Sequence, residues 1–167
     1  LDGRKAEVGS ADQAAAVERE PAAGEYRGAA VERKESRQNP SPPFITSRLQ
    51  QEAARRYGFS VKRTMALAQG PYEGRTIGER GQLGLITYMR TDATRVSEEA
   101  LVAVRATIAE TYGADKLPEE PRRFRSKKGA QDAHEAIRPT YFDLPPERAA
   151  PFLESDELKL YRLIWER

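Results

Sequence analysis

Apolar positions along this 167-residue chain fall into short helix-period groups punctuated by glycine and proline, with one β-like run near the middle. Ser10-Ala11-Asp12-Gln13 has the spacing of a capping box and opens an alanine-rich helix to about Glu20, which Pro21 and Gly24 close. Tyr26 to Ser36 reads as a strand, weakened by Gly28. Asn39-Pro40-Ser41-Pro42-Pro43 is a stiff connector and the preferred domain boundary. Beyond it, Ser47-Arg48-Leu49-Gln50 opens a helix with Leu49, Ala53, Ala54 and Tyr57 at helical spacing, ended by Gly58. Ser60 caps a further helix carrying Val61, Met65 and Ala68, which Gly70-Pro71 should break or kink. Two short helices joined through a glycine form a helix-turn-helix pattern. A loop with Gly74, Gly78 and Gly81 follows. Residues 94–97 then cap an amphipathic helix with Leu101, Val104, Ile108 and Tyr112, closed by Gly113. A basic loop leads to a short helix, Gln131 to Arg138, stopped by Pro139. Ser155 caps a last helix bearing Leu158, Tyr161, Ile164 and Trp165, and the chain is expected to stop inside it.

The β-like run is Leu83-Gly84-Leu85-Ile86-Thr87-Tyr88-Met89-Arg90-Thr91-Asp92. On a strand, Tyr88 and Arg90 emerge on one side, roughly 7 Å apart. A phosphate could touch a phenol oxygen and a guanidinium at that spacing. Tyrosine can act as a covalent nucleophile, and arginine clamps phosphate oxygens. The pair suggests phosphoryl transfer to a tyrosine; half-buried packing beside a surface charge is the plain alternative.

Composition narrows the chemistry. The chain has no cysteine and a single histidine, which excludes disulfides and thiolate sites and disfavours a histidine-based metal site. No apolar run is long enough for a membrane span. A start without an initiator Met, together with the unfinished last helix, suggests a piece of something longer. The net charge is only +2, but it is unevenly placed. Eight basic residues lie between Ser47 and Thr91 against Glu52, Glu73 and Glu79; six more lie between Pro121 and Thr140 against Asp132 and Glu135. That bias fits a polyanion partner or a solvated surface.

Three motifs occur in one order: Pro43-Phe44-Ile45-Thr46-Ser47-Arg48-Leu49-Gln50-Gln51, then Ile86-Thr87-Tyr88-Met89-Arg90-Thr91-Asp92, then Ala133-His134-Glu135-Ala136-Ile137-Arg138-Pro139-Thr140. Together they closely resemble the bacterial type IA DNA topoisomerases, from about Glu7 to Arg167. The resemblance implies a mainly α (α+β) fold. Residues 1–42 would be part of the family's β-rich arch. Residues 43–167 would be its helical, catabolite-activator-like helix-turn-helix domain, with the tyrosine on a short strand.

The resemblance further implies a mechanism. Tyr88 attacks a phosphodiester of single-stranded or negatively supercoiled DNA, giving a 5′-phosphotyrosyl link and a free 3′-hydroxyl. A strand passes, and the 3′-hydroxyl reverses the attack. The link conserves the ester energy, so no ATP is needed. A free phenol is only about one part in a thousand ionised at pH 7, so cations must assist. Arg90 would hold the non-bridging oxygens. His134 would contact DNA or relay a proton, against a plain reading as a surface or capping histidine. On the expected helix it would share a face with Arg138, itself a candidate phosphate contact or ion-pair partner. Lys62, Arg63, Arg122, Arg123, Arg125, Lys127 and Lys128 are candidate backbone contacts.

The family usually has Ser at Ala93 and commonly Arg-Leu at Gly70-Pro71. Its Mg2+ site, with acidic ligands, belongs to a separate domain, so this stretch would carry the nucleophile and no metal. The expected setting is a monomeric, bacterial, cytoplasmic, nucleoid-associated enzyme, completed by the remaining domains of the same polypeptide and without membrane partners. The alternatives are a non-catalytic helix-turn-helix DNA-binding module and a structural segment without DNA affinity.

Overall fold

A computed structural model of the chain describes residues 7–22, 24–25, 27–28, 30–36, 38–124 and 134–167, without the side chains of 20–22. The chain divides into two compact units, residues 1–39 and 40–167.

The described residues of the first unit contain one helix, α1 (Ala11–Ala22). Its start is the one the sequence indicates: the Gln13 N–H donates to Ser10 Oγ at 3.3 Å, and the Gln13 side chain accepts the Gly9 N–H at 2.8 Å. It runs past Pro21 rather than ending before it. The strand expected over Tyr26 to Ser36 does not form among the described residues. Val31 there is 86% exposed. A lone strand leaves its N–H and C=O groups without a ladder partner and buries no face.

The second unit is mainly helical with a small two-stranded sheet. Helices α2 (Thr46–Tyr57) and α3 (Val61–Glu73) are joined through Gly58, whose φ of 69° supplies the left-handed turn. Ile45, not Ser47, stands at the start of α2, and no side chain caps it. Ser60 caps α3 by accepting the Arg63 N–H at 3.2 Å. The expected break at Gly70-Pro71 does not occur, and α3 continues to Glu73. Proline removes one N–H from a helix, but here its carbonyl is used: Pro71 accepts the Leu85 N–H at 2.6 Å.

The glycine-rich stretch expected as a loop is a hairpin. Strands β1 (Arg75–Thr76) and β2 (Gln82–Leu83) pair antiparallel, Arg75 opposite Leu83, around a turn with Gly78 and Gly81 at positive φ. Helix α4 (Glu98–Tyr112) is capped by Ser97, which accepts the Ala100 N–H at 3.3 Å, and ends at Gly113. Its stripe of Leu101, Val104 and Ile108 is only half-buried. After the short α5 (Pro146–Ala149) comes α6 (Ser155–Trp165). Glu154 rather than Ser155 is its N-cap, in a reciprocal box with Glu157, and it closes before the last residues.

The core joins α2, α3 and α6 with the extended segments between them. Phe44, Leu49, Leu85, Ile86, Met89, Leu160 and Leu163 are all 2% exposed or less. Each fully buried side chain of this size contributes about 1.5–3 kcal/mol. Tyr161 is buried among them, donating its hydroxyl to the Leu144 carbonyl at 2.8 Å. Burial, with the Asp143 carboxylate nearby, pushes its phenol pKa up.

Candidate active site

The tyrosine expected on a strand lies instead outside any strand, just before a bend at Met89 and Arg90. Ile86 makes an isolated bridge to Pro139, and Tyr88 lies beyond it. Side-chain hydroxyls take over where sheet bonding stops. The Thr87 N–H donates to the Arg138 carbonyl at 3.0 Å; the Thr87 hydroxyl donates to the Ala136 carbonyl at 2.6 Å and accepts the Arg138 N–H at 3.0 Å. On the other flank, the Thr46 hydroxyl at the start of α2 donates to the Met89 carbonyl and accepts the Thr91 N–H, both at 2.8 Å. Between these clamps Met89 is wholly buried, while Tyr88 and Arg90 are exposed. The alternation expected of a strand therefore survives without one, because a buried neighbour drives both side chains outward.

The Tyr88 ring is 40% exposed and sits between two others, Tyr72 at 5.2 Å and His134 at 6.2 Å between centroids. Its hydroxyl has no hydrogen-bond partner among the described residues. Arg90 lies over the start of α3, in a shallow cavity of about 400 Å3 lined by Val61, Lys62, Met65, Ala66 and Gln69. Lys62, Met65, Ala66, Gln69 and Tyr72 follow one another at helical spacing. One face of α3, about 15 Å long from Lys62 to Tyr72 at 1.5 Å per residue, thus carries the neighbours of both Arg90 and Tyr88. Neither Lys62 nor Arg90 enters an ion pair among the described residues.

The structure separates the other candidates. His134 reaches the tyrosine, but residues 134–138 are extended, so the shared helical face with Arg138 does not exist. Pairing decides this: the Ile137 N–H donates to the Phe44 carbonyl, and the Ala136 N–H to the Arg95 carbonyl, both at 2.8 Å. The part of the expected helix over 131–133 lies outside the described residues, as do Arg125, Lys127 and Lys128. Arg138 is an ion-pair partner, its Nε 2.9 Å from Glu135 Oε2. Arg63 pairs with Asp156 and lies over the Phe59 ring at 5.4 Å. Arg123 forks onto Glu98. Arg122, Arg123 and Arg138 line a separate groove of about 1060 Å3 beside α4, together with Leu101, Ile108 and Trp165. Among the described candidate DNA contacts, Lys62 alone shares a cavity with Arg90.

Burial would raise the Glu135 carboxyl, but hydrogen bonds from Ser97 and Arg138 outweigh it and hold the group below the usual carboxylate range. A carboxylate depressed on folding contributes stability above its unfolded pKa, and that stability is lost as pH falls through the folded value. Glu135→Gln should therefore lower the melting temperature near neutral pH. The gap should narrow as pH falls below about 4, measured by thermal unfolding. A gap independent of pH would contradict the assignment.

Sequence reasoning missed Tyr72 as a neighbour of Tyr88, because it expected α3 to break or kink at Gly70-Pro71. With the helix continued, Tyr72 follows Gln69 by one turn. It also missed the clamping hydroxyls of Thr46 and Thr87. Among the described residues no group of three or more His, Cys, Asp or Glu side chains could hold a metal ion.

The family model described as DNA topoisomerase matches residues 3–167. The chain belongs to the DNA topoisomerase family. It is 47% identical to DNA topoisomerase 1 of Xylella fastidiosa (strain Temecula1), over 100% of this chain and 21% of that protein. Identity to the Rickettsia felis DNA topoisomerase 1 is 52%, covering 82% of this chain and 18% of the relative. Among solved structures, full-length topoisomerase I from Thermotoga maritima superposes with a TM-score of 0.65 at 46% identity, covering 77% of this chain and 19% of that one. The chain spans about a fifth of the length of the topoisomerases it matches. No helix among the described residues is long and apolar enough to cross a membrane.

Proposed function

We propose that this chain is the tyrosine-bearing part of an ATP-independent type IA topoisomerase that relaxes negatively supercoiled DNA. Tyr88 Oη attacks a backbone phosphorus of single-stranded DNA. The oxygen–phosphorus bond forms as the bond to the 3′-oxygen breaks; the phenol gives up its proton and the 3′-oxygen takes one. Religation runs the same exchange backwards, so the number of phosphoester bonds is unchanged and no nucleotide is spent. The observation that carries this reading is a partly exposed tyrosine on a doubly clamped segment, two residues from an arginine; among the described residues the phenol has no hydrogen-bond partner and the arginine no ion pair. Arg90, with Lys62 in the same cavity, offers positive charge to the non-bridging oxygens as charge builds up. His134, whose ring lies 6.2 Å from that of Tyr88, would contact DNA or relay a proton.

In this reading residues 1–42 belong to the arch. Residues 43–167 form the helical active-site domain, with α2 and α3 as its catabolite-activator-like helix-turn-helix. The remaining domains of the polypeptide supply the Mg2+ site. The protein works as a monomer in the bacterial cytoplasm, on nucleoid DNA. The non-catalytic DNA-binding module is not favoured, since the relatives are named DNA topoisomerase 1.

The full-length protein should relax negatively supercoiled plasmid without ATP. Failure to change linking number in the presence of Mg2+ would reject the proposal. The isolated chain should bind single-stranded DNA with an affinity that falls steeply with salt, because phosphate neutralisation releases counterions, and should not nick it. Robust Mg2+-dependent nicking by the isolated chain would contradict the division of labour between domains.

A further inference from the structure

Tyr72 and Tyr88 are large aromatic side chains left 38% and 40% exposed, yet they stand ring to ring, tilted by 57° at 5.2 Å. Exposed aromatics in specific mutual contact restrict one another's torsions. Nothing at the Tyr88 tip aims it, since its hydroxyl has no partner among the described residues. Control over its orientation falls to the neighbouring rings, Tyr72 and His134, both tilted against it.

The backbone of Tyr72 is itself fixed against the segment that carries Tyr88. The Pro71 carbonyl takes the Leu85 N–H at 2.6 Å. Gly84 passes so close that a Cβ there would lie 2.9 Å from the Tyr72 carbonyl oxygen. The two ring-bearing stretches therefore cannot slide past one another without breaking a buried hydrogen bond. An exposed tyrosine near a helix end would ordinarily be surface decoration, and such a residue would not need this close backbone seating.

We propose that Tyr72 is a positioning residue for the reaction: its ring orients the Tyr88 ring, and through it the attacking oxygen, without binding DNA. The proposal rests on the reading of Tyr88 as nucleophile. The ring, not its hydroxyl, does the positioning, so phenylalanine substitutes for tyrosine and alanine does not.

The test uses full-length protein and single-turnover cleavage of an end-labelled single-stranded oligonucleotide at saturating enzyme, with DNA affinity measured separately in a Tyr88→Phe background. Tyr72→Ala should slow adduct formation by about ten- to a hundredfold, the loss expected when a reacting group loses its orientation. DNA affinity should stay within about twofold. Tyr72→Phe should cleave within about twofold of the wild type. A wild-type rate in Tyr72→Ala, a fall in affinity that accounts for the slower cleavage, or a Tyr72→Phe variant as slow as Tyr72→Ala would each overturn the inference. A wild-type protein that forms no adduct at all would overturn the nucleophile reading itself, and with it this one.

Discussion

Tyr88→Phe should abolish covalent trapping of DNA by the full-length protein and lower plasmid relaxation by about 10^4-fold or more, the scale seen when a covalent nucleophile is removed. The substitution deletes one oxygen and keeps the ring. Its packing against Tyr72 and His134 is therefore retained. The lost hydroxyl has no hydrogen-bond partner among the described residues, and the side chain is 40% exposed. Stability should stay within about 0.5 kcal/mol, so lost activity cannot be ascribed to unfolding. Affinity for single-stranded DNA should persist, because phosphate contacts by basic residues do not need the phenol. A Phe variant that still traps DNA would remove Tyr88 from the reaction.

The second large effect is on stability. Arg75, at the start of β1, forks onto Glu157 in the first turn of α6, with Nε 3.1 Å from Oε2. Glu157 is only 6% exposed, and its hydrogen bond holds the Arg75 guanidinium charged, above its ordinary pKa, although burial opposes this. Removing Arg75 leaves a buried carboxylate without its cation, with the Glu154 N–H at 3.4 Å as its remaining donor. Breaking a fully buried pair costs about 3–5 kcal/mol. The Arg75 side chain is 35% exposed, so solvent screening reduces the expected loss for Arg75→Ala to about 2–3 kcal/mol.

Gly70 belongs to the same arrangement. A Cβ at Gly70 would overlap the Arg75 guanidinium and lie 2.7 Å from Glu157 Oε1. Helix propensity alone favours alanine there by about 1 kcal/mol. Overpacking costs about 1–3 kcal/mol, and the arginine can retreat only by releasing Glu157. Gly70→Ala should therefore destabilise by about 1–2 kcal/mol in wild type. In the Arg75→Ala background the same change should be neutral or stabilising, the signature of coupling through one contact. Denaturant unfolding of the four proteins decides it; equal effects in both backgrounds would contradict the packing described.

That pair shows why part of the fold was illegible in the sequence. Gly70-Pro71 carries a strong local breaker signal, and α3 nevertheless continues through it. The compensation comes from elsewhere: Leu85 uses the Pro71 carbonyl, and Arg75 packs where a side chain at position 70 would begin. The 131–138 expectation failed similarly at residues 134–138. Glu135, Ala136 and Ile137 suit a helix locally, but Phe44 and Arg95 offer backbone carbonyls that only an extended chain can reach. Where the signal was local, it was readable. Ser60 and Ser97 cap the helices that they precede, and Gly58 and Gly113 close the helices that they follow.

The candidate site divides along the same line. Tyr88 and Arg90 were legible because a two-residue spacing around a buried Met89 sends both outward, with or without a ladder. Basic residues were legible only as charge. Composition cannot say that Arg63 is held by Asp156, Arg123 by Glu98 and Arg138 by Glu135, while Lys62 stands beside Arg90. Partner choice among charged side chains depends on tertiary contacts between stretches far apart in the chain.

Seven tyrosines occur in the chain, and Tyr72 lies beside Tyr88. The most direct measurement is therefore the location of the covalent bond. Full-length protein is trapped on a single-stranded oligonucleotide, digested with protease and nuclease, and the nucleotide-bearing peptide is sequenced by mass spectrometry. The account predicts a nucleotide joined through its 5′-phosphate to Tyr88 and to no other residue. A nucleotide found on Tyr72 or any other side chain, or joined through a 3′-phosphate, would contradict it.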